Sequence, residues 1–315
     1  MSSRLPGRRL IQRRRINCAA IVTRAAVLLL LFAGWACSSQ PTPTEVFMAD
    51  QIQISGLQVD KAFYHPGEMV HLQVHILTGL AGEKQAWLSA RITHLDANID
   101  TLKQQVTLSG GDQTVELSFS PPETAPRGYG IDVAIETADG ARLAGASTAF
   151  DVLDRWTQSP RYGFVSDFQP GRLDSTETME ILTRYHVNAL QFYDWMYRHE
   201  QFLTHEEPYI DLMGRELSRQ TVDALIDAAH QRGIAAMPYT AIYGSSLAFY
   251  EEHPDWALYN KRGEVSRLGE NFMAIMDPRP GSAWANHLLA QFDEVLDNTA
   301  FDGIHLDQYG DPKEG

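Results

Sequence analysis

Three carboxylates crowd one short stretch near the end of the sequence, "FDGIHLDQYGD" at 301–311, where Asp302, Asp307 and Asp311 interrupt or border an apolar run. A strand that ends in "IHL" presents Asp307 at its C-terminal edge. A carboxylate buried at such a place is costly unless it is hydrogen-bonded or kept charged for a purpose. Two chemistries use one: attack on, or stabilisation of, an electron-poor sugar carbon, and ligation of a hard cation.

The neighbours bear on the choice. Tyr162, Phe192, Tyr193, Trp195, Tyr197, Tyr239, Tyr243 and Tyr309 all fall near expected strand ends, and sugar rings offer apolar CH faces that stack on such side chains. A hard-cation site would instead need several converging oxygens and few aromatics. The pattern favours carbohydrate, with Tyr193, Asp194, Trp195, Tyr239 and Tyr243 as candidate substrate-binding residues, and no metal ligand set is assigned. His305 lies two residues before Asp307 and so shares its side of the strand, as a candidate donor to a sugar hydroxyl. Phe192 reads as packing. Asp302, before Gly303, reads as a turn residue at the strand entrance, and Asp311 as a loop residue facing substrate or water. His199 and His205 read as solvated loop histidines.

From Arg161 onward, apolar runs alternate with helical stretches. "RYGFVSDF" precedes "STETMEILTRYH", "VNALQFYDW" precedes "SRQTVDALIDAAHQRG", "IAAMPYTAIYG" precedes "SLAFYEEHP", and "GSAWANHLLAQFDEVLDNT" precedes "FDGIHLDQYG". Val222, Leu225, Ile226 and Ala229 recur at helical spacing after Ser218 or Arg219, and Gly233 closes that helix. "WALYNKRGEVSRL" predicts a hairpin turning at Arg262-Gly263. Strand–helix–strand repeats require a parallel sheet with right-handed crossovers. Polar residues gather where strands end, at Ser166-Asp167, Tyr193-Asp194-Trp195, Tyr239-Thr240 and His305/Asp307, which matches the active edge of a (β/α)8 TIM barrel. A doubly wound sheet is the alternative, but no Gly-rich phosphate loop follows the first strand, so no nucleotide cofactor is expected. Only four strands fit into 161–315, where the whole fold takes eight strands and about 250 residues. The expectation is therefore an incomplete, N-terminal part of a barrel.

Residues 52–153 follow another rhythm. Short period-two runs ("HLQVHIL", "AWLSARI", "QQVTLSG", "TVELSFS", "GIDVAIET", "STAFDVL") alternate with turn signals such as "HPGE", "SGGDQ" and "ADG". That predicts an immunoglobulin-like β-sandwich, serving as a spacer and packing partner or as a sugar-binding module.

At the other end, residues 1–36 carry seven arginines and no acid, then "AAVLLLLFAGWA" and Cys37. This is the layout of an export signal, of the lipoprotein type if cleavage precedes Cys37, and the apolar run is short for the spanning helix that an uncleaved anchor would need. Residues 37–51 then form a tether. Loss of the seven arginines would take the net charge from −14 to −21, a surface that repels nucleic acid. Cys18 would leave with the signal and Cys37 would be acylated, leaving no pair for a disulfide. A lipid-anchored protein of the cell envelope, at the outer membrane or cell surface, is the expectation.

"RYGFVSDF", "VNALQFYDWMYRH", "PYTAIYG" and "FDGIHLDQYGD", in this order after a β-sandwich, resemble glycoside hydrolase family 66. The resemblance covers roughly residues 55–315. It implies a dextranase or a cycloisomaltooligosaccharide glucanotransferase, acting on an α-1,6-glucan by a retaining mechanism without a cofactor. It also implies Asp307 as nucleophile, Tyr193 and Asp194 as sugar-binding residues, and Tyr239 beside the cleaved unit. The acid/base glutamate implied by the resemblance falls beyond position 315, so the chain as given is expected to turn over little substrate. A non-catalytic carbohydrate-binding surface lipoprotein is the alternative.

Overall fold

The computed structural model describes residues 51–269 and 271–307. The expected export signal and the expected tether up to residue 50, Cys37 included, lie outside the described residues, as do Tyr309 and Asp311.

The alternating runs form two antiparallel sheets. One has the order β1 (Ile52–Val59), β2 (Val70–Thr78), β5 (Gly111–Phe119). The other runs β4 (Ala97–Leu108), β3 (Lys84–His94), β6 (Arg127–Glu136), β7 (Arg142–Val152). Side chains alternate between the two faces of a strand, so Val70, Leu72, Val74 and Ile76 of β2 meet Leu88, Ala90, Ile92, Ile131, Val133 and Ile135 of β3 and β6 in one shared core. Each such Val, Leu or Ile side chain stabilises the fold by roughly 1.5–3 kcal/mol relative to exposure. The sequence pattern does not mark β1, whose bulge between Ile54 and Gly56 breaks its alternation.

The chain then crosses to a parallel sheet. The Arg161 guanidinium pairs with Asp151 at the end of β7 and donates to the His186 carbonyl at 2.6 Å. The Ala62 amide donates to the Arg232 carbonyl at 2.8 Å.

Four parallel strands, β8 (Tyr162–Val165), β9 (Ala189–Phe192), β12 (Ala235–Ala241) and β16 (His305–Asp307), lie in the spatial order β16-β12-β9-β8. Helices α1 (Thr176–Arg184), α2 (Arg219–His230) and α4 (Ala283–Asn298) fall between them in sequence. Outward-facing Leu190, Phe192 and Ala236 share a core with Val222, Ile226, Trp284 and Val295 from the helices. On the inner face Ala189, Ala235 and Met237 meet Trp156 instead.

Local signals in the sequence account for the helix ends. The hydroxyls of Ser218, Ser246 and Ser282 each accept an amide from three residues on, Thr221, Phe249 and Ala285 respectively, capping α2, the short α3 (Leu247–Glu252) and α4 at about 1 kcal/mol each. Gly233, at φ 68°, terminates the turn after α2 in the left-handed region that glycine enters freely. The predicted hairpin is present: Asn260 donates to the Glu264 carbonyl at 2.8 Å, with Gly263 at φ 78° in the turn.

Two small additions were not read from the sequence. β10 (Tyr209–Ile210) pairs with β11 (Glu216–Leu217), and β13 (Gly244–Ser246), β14 (Arg267–Leu268) and β15 (Met273–Ile275) form a three-stranded antiparallel sheet. Both follow C-terminal ends of parallel strands in the sequence, β9 and β12 respectively.

Candidate active site

Asp307 is the last residue of β16, paired in register with Ala241 of β12, and its carbonyl accepts the Ile242 amide at 3.3 Å. Its side chain is half-buried and accepts a hydrogen bond from the Tyr239 hydroxyl. Burial, followed by that hydrogen bond and the charge of Asp307, pushes the Tyr239 phenol well above its usual range. Tyr239 therefore stays a protonated donor, holding a carboxylate at a strand end.

The aromatic candidates divide sharply. Tyr193 leaves β9 with 39% of its surface exposed, and its ring centroid lies 4.6 Å from that of Tyr239 and 6.4 Å from that of Phe164. The charge of Asp194 is the main reason why the Tyr193 phenol also resists ionisation. His305 pairs in register with Tyr239, and its Nδ1 lies 3.3 Å from the Tyr162 hydroxyl. Burial depresses the His305 pKa, opposed by Asp307, which favours a neutral imidazole able to exchange hydrogen bonds with hydroxyls.

Trp195 does not join this surface. It is 2% exposed, its indole N–H donates to the Tyr239 carbonyl at 3.3 Å, and its ring packs on Phe301 at 4.9 Å. Strand alternation would place Trp195 beside Tyr193, but Asp194 adopts φ 54°. That left-handed residue turns the chain and sends the indole into the core. Tyr243 is likewise buried.

Asp194 is held from one side. Arg215 donates to the Asp194 carbonyl at 3.1 Å and stands 3.6 Å from its carboxylate. The same guanidinium engages Asp211 at 2.6 and 2.7 Å, and Asp211 in turn accepts the amides of Met213 at 2.9 Å and Arg215 at 2.7 Å. Burial raises the Asp194 pKa, Arg215 opposes the rise, and Asp211 and Asp307 add to it. The sequence signal for this pair is the "DLMGR" turn, an Asp and an Arg four apart around a glycine, which was not singled out.

Other expectations shift as well. His199 is not solvated: it is 6% exposed, its Nδ1 has no hydrogen-bond partner, and burial pulls its pKa down to about 4. The loop 197–213 encloses it with Asp211 nearby, a tertiary effect with no local signature. His205 is exposed, as read. Asp302 does more than turn the chain, since its carboxylate accepts the Ala236 amide at 2.7 Å and lies 2.8 Å from His230 Nε2, pinning the entrance of β12. Glu200, also missed, is buried and accepts the Ser246 amide at 2.9 Å and the Ser246 hydroxyl. Among the described residues no group of three or more His, Cys, Asp or Glu side chains is arranged to hold a metal ion.

The model of glycosyl hydrolase family 66 matches residues 59–315. The chain belongs to that family. It is 30% identical over 285 residues to a cycloisomaltooligosaccharide glucanotransferase of Niallia circulans, covering 85% of this chain and 29% of that protein. To a dextranase of Streptococcus salivarius it is 23% identical over 207 residues, covering 58% of this chain and 25% of the dextranase. A crystal structure of a Paenibacillus sp. cycloisomaltooligosaccharide glucanotransferase complexed with cycloisomaltoheptaose superposes with a TM-score of 0.75 at 31% identity, over 84% of this chain and 39% of that one. The chain thus spans under a third of the length of the curated family 66 relatives it matches.

Proposed function

We propose that Asp307 is the nucleophile of a retaining glycoside hydrolase acting on an α-1,6-linked glucan, with Tyr193, Asp194, Tyr239 and His305 holding the sugar. The two antiparallel sheets are then an immunoglobulin-like sandwich, and the parallel sheet is the first half of a (β/α)8 barrel. Sequential parallel strands with polar residues at their C-terminal ends support that assignment. So does family membership.

One observation carries the reading: Asp307 stands at a parallel strand's C-terminal end, fixed by a tyrosine hydroxyl and next to an exposed aromatic ring. In the first step the carboxylate oxygen bonds to the anomeric carbon. The glycosidic C–O bond breaks, and its electron pair leaves on the departing oxygen, which takes a proton from a general acid. Water or a sugar hydroxyl, giving its proton to the now deprotonated acid, then displaces Asp307 from the face that the leaving group vacated, and the two inversions retain the configuration. The two carboxyl groups of such a reaction stand about 5–5.5 Å apart. None of the described residues is assigned the proton donor's part, so turnover is expected of the full-length protein.

A fluorinated glucosyl donor that slows the second step tests this. Incubation with the full-length protein should leave a covalent sugar on the peptide carrying Asp307, and Asp307→Asn should abolish both the label and release of reducing sugar from dextran. A label on another carboxylate would overturn the assignment. Binding of isomaltooligosaccharides without label or turnover would instead identify a non-catalytic carbohydrate-binding protein.

Transglycosylation is a second reading, favoured by the 30% identity to a cycloisomaltooligosaccharide glucanotransferase. In that case the far end of the same glucan displaces Asp307, and the products are cyclic. Mass spectrometry separates the two outcomes, since a cyclic product lacks the water that hydrolysis adds.

The proposed location is the cell envelope, through lipid on Cys37. Growth with labelled palmitate should mark the wild-type protein, and Cys37→Ser should release it from the membrane fraction.

A further inference from the structure

We infer that Arg215, braced by Asp211, is a positioning residue that fixes the Asp194 carboxylate toward the sugar-binding face. This rests on the reading of that face as a glucan site.

The geometry singles Arg215 out. Asp194 follows directly on Tyr193, an exposed aromatic of the sugar-binding face, and its backbone at φ 54° lies in the left-handed region, which aspartate enters more readily than most residues with a Cβ but still at some cost. Neighbouring contacts stabilise it there. Arg215 does so by two routes at once, a hydrogen bond to the Asp194 carbonyl and an ionic contact to its carboxylate. Arg215 is itself held: Asp211, 5% exposed, takes its Nε and Nη2 together. The planar guanidinium suits such two-sided engagement, whereas a lysine ammonium can serve only as a point charge.

Electrostatics gives Arg215 a second role. Burial does most to raise the Asp194 pKa, Arg215 opposes the rise, the carboxylates of Asp211 and Asp307 add to it, and the charge of Asp194 acts in turn on Tyr193. His199 adds no charge near neutrality, because burial keeps it neutral down to about pH 4. Arg215 is thus the counter-charge that keeps Asp194 an anionic acceptor for a sugar hydroxyl, a stronger hydrogen-bond partner than the protonated acid.

Binding of linear isomaltooligosaccharides to the full-length protein, measured by calorimetry between pH 5 and 8, tests the inference on Arg215→Met, Arg215→Lys, Asp194→Asn and the Arg215→Met/Asp194→Asn double variant. Arg215→Met should weaken binding about 10-fold or more at pH 7, and the loss should grow as pH falls, because Asp194 then takes up a proton more readily. Arg215→Lys should recover part of the affinity. If Arg215 acts through Asp194, the double variant binds no worse than Asp194→Asn alone. Wild-type affinity and pH dependence in Arg215→Met, or additive losses in the double variant, would overturn the inference. Absence of sugar binding by the wild type would count against the proposed function instead. The positioning claim is then decided by a crystal structure of Arg215→Met: Asp194 departing from its left-handed conformation supports it, and an unmoved carboxylate refutes it. Should Arg215→Met fail to fold, Arg215→Lys carries the same comparison.

Discussion

Tyr162 and His305 sit on opposite edges of the four-stranded parallel sheet, with two strands between them, yet their ring centroids are 5.5 Å apart. Neighbouring strands lie about 4.8 Å apart, so a flat sheet would separate those edges by about 14 Å. The sheet therefore bends toward the face carrying both rings. Tyr239 continues the aromatic line, 6.3 Å from His305 and 4.6 Å from Tyr193. Curvature, more than any single loop, brings residues from positions 162 to 307 onto one surface.

Tyr239→Phe removes the hydroxyl that holds Asp307 and little else. A hydrogen bond to a charged group contributes about 1.5–3 kcal/mol. For the proposed action of the full-length protein on dextran, kcat/KM should fall by about 10- to 100-fold, with the melting temperature almost unchanged.

His199 predicts an acid sensitivity whose sign is fixed. Its folded pKa, about 4, lies below the unfolded value of 6.5, so between those two values the unfolded chain binds more protons and stability falls as pH drops. The full effect is on the order of 3 kcal/mol, at 1.36 kcal/mol per pKa unit. Denaturant midpoints measured from pH 7 down to pH 4.5 should decline, and His199→Gln, which cannot titrate, should flatten that decline.

Glu200 anchors the start of α3 from a segment 46 residues away. Glu200→Ala leaves the Ser246 amide and hydroxyl without their acceptor and should cost about 2–4 kcal/mol, whereas Glu200→Gln keeps one carbonyl oxygen for them and should cost less. Urea unfolding monitored by tryptophan fluorescence would rank the two.

Gly110 predicts a steric effect within the antiparallel part. A Cβ at that position would collide with the Leu80 carbonyl oxygen, a backbone atom that cannot rotate away. Gly110→Ala should therefore destabilise by about 1–3 kcal/mol. Gly82, whose added Cβ meets nothing within 4 Å, provides the matched control, with Gly82→Ala nearly neutral.

Much of the framework could be read from periodicity. The alternating runs from β2 to β7 are strands because one face of each is buried against the opposite sheet, and α2 is a helix whose four recurring apolar residues are those it buries. Asp307, Tyr193, Asp194 and Tyr239 were legible as strand-end residues, and the structure gathers them. Trp195 was misread because one left-handed residue before it cancels the alternation on which the reading relied. His199, Glu200 and Arg215 were missed or misjudged for another reason. Their roles depend on partners that the folded loop supplies, and loop closure leaves no period in the sequence. The strands β13 to β15 are two or three residues long, too short for alternation to declare itself.

Trp156 lies against Ala189, Ala235 and Met237, side chains at or near the beginnings of the inner strands. Its partly buried indole covers these side chains at the end of the sheet remote from Asp307. The segment that joins the antiparallel and parallel parts of the chain thus also shields the start of the parallel sheet from water.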